Sequence, residues 1–130
     1  MKILAIAGSL RAASINGALC HAAARLAPPG MSVSVYDGLG GLPLFNPDLE
    51  SAPPIRVLDL RAQVATADAL LIASPEYAHG IPGAMKNALD WLVSFESFAA
   101  KPVALVNVAP RAHHAYEALR EVLTTMSATI

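Results

Sequence analysis

Residues 74–91 read Ser-Pro-Glu-Tyr-Ala-His-Gly-Ile-Pro-Gly-Ala-Met-Lys-Asn-Ala-Leu-Asp-Trp. An apolar run at 69–73 precedes them and predicts a buried strand, and from Met85 onward apolar residues recur at helical spacing. Two prolines and two glycines between these segments predict a rigid loop over 75–83. In folds where strands and helices alternate, ligands lie beyond the carboxyl ends of the strands. We therefore expect this loop to contribute to a binding site.

The same alternation of strand and helix runs through the whole chain. The patterns predict strands at 3–7, 31–36, 69–73 and 103–108, and helices at 15–26, 57–67, 84–95 and 115–126. Residues 31–36 alternate apolar and polar side chains, so this strand belongs at an edge of the sheet. Four such pairs predict an α/β fold in three layers with a parallel sheet. The strand at 103–108 is as apolar as a central one, as if a fifth strand and a last helix were missing.

Composition limits the classes of function. A chain of 130 residues is expected to form a single domain, 1–130. The formal net charge of -1 argues against nucleic acid and anionic membranes as partners, and no apolar run reaches the ~18 to 20 residues that cross a bilayer. The lone cysteine, Cys20, excludes an intramolecular disulfide and is expected to be buried. We expect a cytoplasmic protein.

The first loop carries groups that suit a phosphate. Ser9 and Ser14 offer hydroxyls, Arg11 a guanidinium and Asn16 an amide, beside the free N–H groups of a helix start. The alternative is that Ser14 only caps the helix and that Arg11 is a solvated charge. This loop alone leaves both interpretations open.

The loop at 75–83 offers little for acid–base chemistry. Its backbone can contact the edge of a planar heterocycle, and Tyr77 can cover the face of such a ring. Glu76 is the one candidate for a catalytic carboxylate, but no second carboxylate or nucleophile has a matching spacing. We expect Glu76 to shape the loop, and Lys86 and Asp90 to form a solvated ion pair one helical turn apart.

A metal site is not expected. The adjacent His113 and His114 are expected to point away from each other, and no carboxylate spacing completes a site with His79.

The long segment 37–54 is rich in glycine and proline, and its apolar residues 42–45 suggest a lid or a subunit contact that docks on an apolar surface. Trp91 and Phe95 extend the apolar face of the following helix, and we expect them at a subunit interface.

Taken together, the two loops resemble a known family. Gly-Ser-Leu-Arg-x-x-Ser-x-Asn after the first strand, with Pro-Glu-Tyr-x-x-x-x-Pro-Gly-x-x-Lys-Asn-x-Leu-Asp-Trp after the third, is similar to the NADPH-dependent FMN reductases. These are flavodoxin-like proteins that include quinone, azo-dye and chromate reductases. The resemblance covers essentially the whole chain and implies the strand order 2-1-3-4.

The resemblance also implies a cofactor site. The residues that it places around the FMN phosphate are Ser9, Arg11, Ser14, Ile15 and Asn16, and those around the isoalloxazine ring are Pro75, Glu76, Tyr77, Ala78 and His79. It implies NADPH or NADH as reductant, a small-molecule electron acceptor (quinone, azo, metal oxyanion or flavin), and a homodimer or homotetramer. No catalytic side chain is expected, because the cofactor supplies the chemistry.

Two departures from the family limit what the resemblance implies. The loop after the fourth strand, often glycine-rich in the family, reads Ala-Pro-Arg-Ala-His-His at 109–114, which puts the substrate preference in doubt. The chain also ends where relatives continue into a fifth strand. The alternative function is therefore a truncated, non-catalytic fragment, or a module that binds flavin or transfers electrons only in an oligomer.

Overall fold

The computed structural model describes residues 1–130, in which four strands alternate with four helices. The elements are β1 (Lys2–Ala7), α1 (Ile15–Leu26), β2 (Ser32–Val35), α2 (Ile55–Thr66), β3 (Ala69–Ala73), α3 (Gly83–Leu92), β4 (Val103–Val106) and α4 (His113–Thr125). All strand pairs are parallel and the order is β2-β1-β3-β4. The predicted fold class and strand order are confirmed.

The two faces of the sheet are covered unequally. Helices α2, α3 and α4 share one apolar core with the side chains of Leu4 and Ile6 in β1. On the other face α1 packs through Cys20 against Ala5 and Ala73. Beside α1 this second face carries an apolar groove of about 520 Å³ that reaches across to β4.

The outer side of β4 is partly paired. Thr129 accepts a hydrogen bond from the N–H of Val103 at 2.8 Å and donates its own N–H to Lys101 at 3.0 Å. These residues therefore begin a parallel pairing on the side of β4 that faces away from β3. β4 itself ends at Val106 and not at Val108 as predicted, because Asn107 starts the loop toward α4.

The segment 37–54 is docked on α3. The Nδ2 of Asn87 and the Nε1 of Trp91 both donate to the carbonyl oxygen of Pro43, at 2.9 and 2.8 Å, and the N–H of Phe45 donates to Asn87 Oδ1 at 2.8 Å. The ring of Phe45 meets that of Trp91 edge to face, with centroids 5.0 Å apart. Of the predicted docking residues Leu42 is buried, whereas Leu44 is 83% exposed.

Trp91 is therefore not an interface residue of this chain. Its side chain is fully buried within the protomer. The segment 37–54 covers this part of the apolar face of α3, which we expected to contact another subunit. Phe95 lies beyond the end of α3 at Leu92, and the Arg61 guanidinium stacks on its ring at 5.5 Å. The predicted Lys86–Asp90 ion pair is present, at 2.7 Å on the surface. No helix has both the length and the apolar character needed to cross a bilayer.

Candidate functional site

Three loops meet at the carboxyl ends of β1, β3 and β4 and enclose a cavity of about 280 Å³. This is the edge where parallel α/β sheets bind their ligands. The lining comprises Ser9, Arg11, Ala13, Ser14, Ile15 and Asn16 from the first loop and the start of α1, Ser74, Pro75, Glu76 and Tyr77 from the second loop, and Asn107, Val108, Ala109 and Ala112 from the third. Eight of the ten predicted site residues line this one cavity, and Ala78 and His79 do not.

The start of α1 leaves backbone donors free at the cavity. Ser14 is the N-cap: its backbone is extended and its Oγ accepts the N–H of Gly17 at 3.1 Å. The N–H groups of Ile15 and Asn16 have no acceptor within the chain. Ser14 therefore caps the helix, and two donors at the positive end of the helix dipole still remain for a ligand.

Asn16 carries the one buried polar side-chain atom without a partner. The residue is only 5% exposed, lines the cavity, and its Oδ1 accepts no hydrogen bond. A buried amide oxygen without a partner costs about 1 to 3 kcal/mol, so such atoms normally face a ligand or water. Rotating the amide by a half turn exchanges Oδ1 for the Nδ2 donor, so the side chain can either accept from or donate to a bound group.

Arg11 brings a cation without a carboxylate partner to the same loop. The ion pairs of the chain are Arg61–Glu50 and Lys86–Asp90, so the Arg11 guanidinium is available to an anion. A groove of about 1010 Å³ continues past Arg11 and Ser14 toward Tyr36 and Gly40. The cavity is therefore open beside Arg11 and Ser14, and a bound molecule can extend from it into this groove.

The first and second loops approach each other closely. Gly8 donates its N–H to Ala73 at 2.8 Å, and a Cβ at this position would overlap the side chain of Ser74. Farther along, the Oγ of Ser9 and the hydroxyl of Tyr77 lie 3.4 Å apart, which links the two loops across the cavity. A glycine at residue 8 is what allows this approach.

Glu76 ties the second loop to α4. Its Oε1 accepts a hydrogen bond from the N–H of Ala115 at 2.6 Å, in the first turn of the helix. Ala112 is the N-cap of α4 and has no side-chain acceptor, so the carboxylate of Glu76 replaces the missing cap. This contact agrees with the expected shaping role of Glu76.

Ala78 and His79 form the tip of a two-residue turn outside the cavity. Tyr77 and Gly80 exchange both backbone hydrogen bonds, at 3.1 and 2.9 Å, and the two residues between them have φ angles of 50° and 60°. Both side chains are exposed. Their contact with a cofactor stays a prediction.

The third loop contributes residues that sequence reasoning did not include in the site. Asn107 Oδ1 accepts the N–H of Ala109 at 3.0 Å, and its Nδ2 donates to the carbonyl of Ala112 at 3.2 Å, so this side chain holds the loop beside the cavity. The sequence prediction placed Asn107 and Val108 inside the strand 103–108, but the polar Asn107 interrupts that apolar run and was a signal that a loop begins there. The carboxyl ends of neighbouring parallel strands share one edge of the sheet.

The histidines differ from expectation. The rings of His113 and His114 do not point apart: their centroids lie 4.2 Å from each other. The two residues occupy the first positions of α4, where no preceding helical turn restricts their side chains. The ring of His79 stacks on that of His114 with centroids 4.1 Å apart.

Comparison with known proteins identifies the fold and the loops together. The family model for NADPH-dependent FMN reductase matches residues 1–130. The chain belongs to this family. The resemblance of the two loop motifs to the NADPH-dependent FMN reductases is therefore confirmed.

Named relatives within the family match in sequence and structure. An NAD(P)H-dependent FMN reductase of Pseudomonas aeruginosa is 42% identical over 109 residues, 82% of this chain and 58% of that protein. A 2-hydroxy-1,4-benzoquinone reductase of Burkholderia sp. is 47% identical over 91 residues, 70% of this chain and 49% of that protein. The flavoenzyme FerB, an NAD(P)H:(acceptor) oxidoreductase from Paracoccus denitrificans, superposes with a TM-score of 0.87 at 31% identity, covering 98% of this chain and 72% of FerB. The chain thus spans about half the length of these two curated relatives.

Proposed function

We propose that the cavity at the carboxyl ends of β1, β3 and β4 binds FMN. The observation that supports this most directly is the buried Asn16 side chain, which lines the cavity and whose Oδ1 has no hydrogen-bond partner within the chain. Its neighbours are two free backbone N–H groups and an unpaired guanidinium, a donor set that suits a phosphate ester. The residues present therefore fit the cofactor of the family.

The phosphate end of the site is the first loop with the start of α1. The N–H groups of Ile15 and Asn16 and the side chains of Ser9, Arg11 and Ser14 would hold the phosphate. Hydrogen bonds to a charged group contribute about 1.5 to 3 kcal/mol each, and the helix dipole adds roughly 0.3 to 1 kcal/mol. Most of the affinity is therefore expected from this end.

The ring end of the site is formed by the second and third loops. Pro75, Glu76 and Tyr77 would line the isoalloxazine, with Ala78 and His79 at its rim. The hydrogen bond from Ala115 to Glu76 fixes the second loop against α4 before any ligand binds, so the loop loses little freedom on binding. The Tyr77 hydroxyl, 3.4 Å from Ser9, lies where the two ends of the site meet.

The proposed activity is that of an NAD(P)H-dependent FMN reductase or quinone reductase. When bound, FMN supplies two-electron transfer from NADPH or NADH to a small-molecule acceptor such as a quinone, an azo compound, a metal oxyanion or a second flavin. This chain's residues bind and orient the cofactor and exclude water from it. The names of the relatives support quinone and FMN as the acceptors to test first.

The activity is tested by NADPH consumption. Purified protein with one equivalent of FMN is expected to oxidise NADPH faster when 1,4-benzoquinone is added, and at a rate proportional to protein. Arg11→Ala is expected to require more FMN for half-maximal rate, whereas Arg25→Ala, at the other end of α1, leaves this FMN requirement unchanged. A rate no higher than that of free FMN with the same reagents would overturn the proposal.

We also propose a homodimer or homotetramer in the cytoplasm. The groove between α3 and α4 exposes apolar surface around Val93, which is 65% exposed. Because Trp91 is buried within the protomer, this groove and not Trp91 supports contact with a second copy. Use of a nicotinamide reductant supports the cytoplasm. Light scattering coupled to size exclusion and cell fractionation test the two proposals.

A further inference from the structure

The loop between β4 and α4, residues 107–112, forms one wall of the proposed FMN cavity. Its residues that line the cavity are Asn107, Val108, Ala109 and Ala112. Its other two residues, Pro110 and Arg111, are exposed. The conformation of this third loop therefore determines the shape of the cavity on the side of β4.

Asn107 is the only residue whose side chain fixes the third loop. Its Oδ1 accepts the N–H of Ala109, two residues along the chain, at 3.0 Å, which is the geometry of an Asx turn. Its Nδ2 donates to the carbonyl oxygen of Ala112 at 3.2 Å. No other side chain of the protein forms a hydrogen bond with residues 107–112. One amide group thus joins the beginning of the loop to its end.

The backbone adds one hydrogen bond within the third loop. The N–H of Ala112 donates to the carbonyl oxygen of Ala109 at 2.8 Å, and this β-turn has Pro110 in the position where proline is favoured. Val108 lies outside the β-turn but inside the Asx turn of Asn107. The position of Val108 therefore depends on the Asn107 side chain.

Val108 carries backbone groups that are free for a ligand. Neither its N–H nor its carbonyl oxygen forms a hydrogen bond within the chain, although the residue is partly buried and lines the cavity. Backbone polar groups away from bulk water are normally paired with protein, ordered water or a ligand. An isoalloxazine ring carries carbonyl oxygens and a ring N–H along one edge, so it can bond to both groups.

We propose that Asn107 is a positioning residue for the ring end of the FMN site, because its amide holds Val108 where the backbone of that residue can bond to the isoalloxazine. The Oδ1 and Nδ2 of Asn107 are both engaged within the loop, so the side chain acts through Val108. This inference rests on the proposed binding of FMN. It adds the residue that sets the affinity for the ring, as Arg11 and Ser14 are proposed to set the affinity for the phosphate.

Titrations with FMN and with riboflavin separate the ring from the phosphate. Asn107→Ala is expected to weaken the binding of both flavins about fivefold and so to leave the ratio of their affinities unchanged. Arg11→Ala is expected to weaken the binding of FMN alone. Asn107→Ser keeps a hydroxyl that can accept the Ala109 N–H, and it is expected to weaken both flavins by less than Asn107→Ala does.

Asn46 provides a matched control for the loss of an Asx turn. Its Oδ1 accepts the N–H of Asp48 at 3.0 Å, the same contact as that between Asn107 and Ala109, and Asn46 does not line the cavity. Asn46→Ala is expected to lower the urea midpoint of unfolding as Asn107→Ala does and to leave the affinity for riboflavin unchanged. Equal losses of riboflavin affinity in these two variants, or none in Asn107→Ala, would overturn the proposal.

NMR of the 15N-labelled protein tests the role of Val108 directly. Saturating riboflavin is expected to shift the amide signal of Val108 more than that of Ala109, whose N–H is already bonded to Asn107. The shift of the Val108 signal is expected to be smaller in Asn107→Ala, a change that lower stability alone would not cause in the saturated protein. An unshifted Val108 signal in wild type that binds riboflavin would overturn this inference alone. Wild type that binds neither flavin would overturn the proposed FMN site and this inference with it.

Discussion

Glu76 Oε1 accepts the backbone N–H of Ala115 at 2.6 Å, which joins the loop after β3 to the first turn of α4. Neither residue is near the other in sequence, and the helix has no capping side chain of its own. The contact gives the motif glutamate a structural task that explains why it needs no second carboxylate. It also sets the distance between the second and third loops around the cavity.

Replacing Glu76 tests this cap. Glu76→Ala is expected to lower the free energy of unfolding by about 1 to 2 kcal/mol, as the loss of an N-cap acceptor does. Glu76→Gln keeps an amide oxygen for the Ala115 N–H and is expected to lose less than half of that. Urea denaturation of the two variants measures the difference, with the exposed Glu117→Ala as control. Equal losses in the alanine and glutamine variants would contradict the capping role.

The docking of segment 37–54 depends on Asn87. Asn87→Ala removes the acceptor of the Phe45 N–H and one donor to the Pro43 carbonyl. The expected cost is about 1 to 3 kcal/mol in the free energy of unfolding, with faster proteolytic cleavage between residues 43 and 50. Lys86→Ala, one residue away on the surface, is the control and is expected to change stability by less than about 0.5 kcal/mol. Unchanged cleavage in Asn87→Ala would show that the segment is held elsewhere.

The raised pKa of Tyr36 predicts how the free energy of unfolding falls at alkaline pH. Burial, followed by the nearby Asp59 and Asp37 carboxylates, raises the pKa of Tyr36 from 10.0 to about 12. The unfolded phenol ionises first, so this contribution to stability is complete below pH 10 and is lost as the pH rises through about 12. Between these limits the wild type is expected to lose about 2 kcal/mol more than Tyr36→Phe. Parallel pH profiles of unfolding for the two proteins would refute the assignment.

Cys20 is expected to be chemically inert in the folded protein. Its side chain is fully buried between Ala5 and Ala73, and this burial raises the pKa of the thiol, so little thiolate forms. A disulfide reagent at pH 8 is expected to react with the denatured chain and not with the native one. Rapid reaction of the native protein would mean that α1 opens readily from the sheet. Cys20→Ser, which buries a hydroxyl, is expected to destabilise more than Cys20→Ala.

Sequence patterns predicted the strands, the helices and their order because each buried element has a clear apolar period and ends at glycine, proline or a polar loop. They also predicted eight residues that line the same cavity, since loops after neighbouring parallel strands meet at one edge. The role of these residues in binding remains a prediction.

What the sequence could not predict depends on contacts between distant segments. Trp91 has the pattern of an interface residue until Phe45 and Pro43, more than 40 residues away, are seen to cover it. The rings of His113 and His114 lie together at the start of α4, and that of His114 also stacks on His79 from another loop. No local spacing in the sequence predicts these contacts. The partner of Glu76 is a backbone group on another element, and backbone groups leave no signature in a sequence.

The central claim is that the start of α1 holds the phosphate of FMN. The most direct measurement is the fluorescence titration of the protein with FMN and with riboflavin, which lacks the phosphate. FMN is expected to bind at least about tenfold more tightly, and the double variant Arg11→Ala with Ser14→Ala is expected to remove most of that difference, whereas Arg25→Ala retains it. Equal affinities of the wild type for FMN and riboflavin, or no binding of either, would contradict the claim.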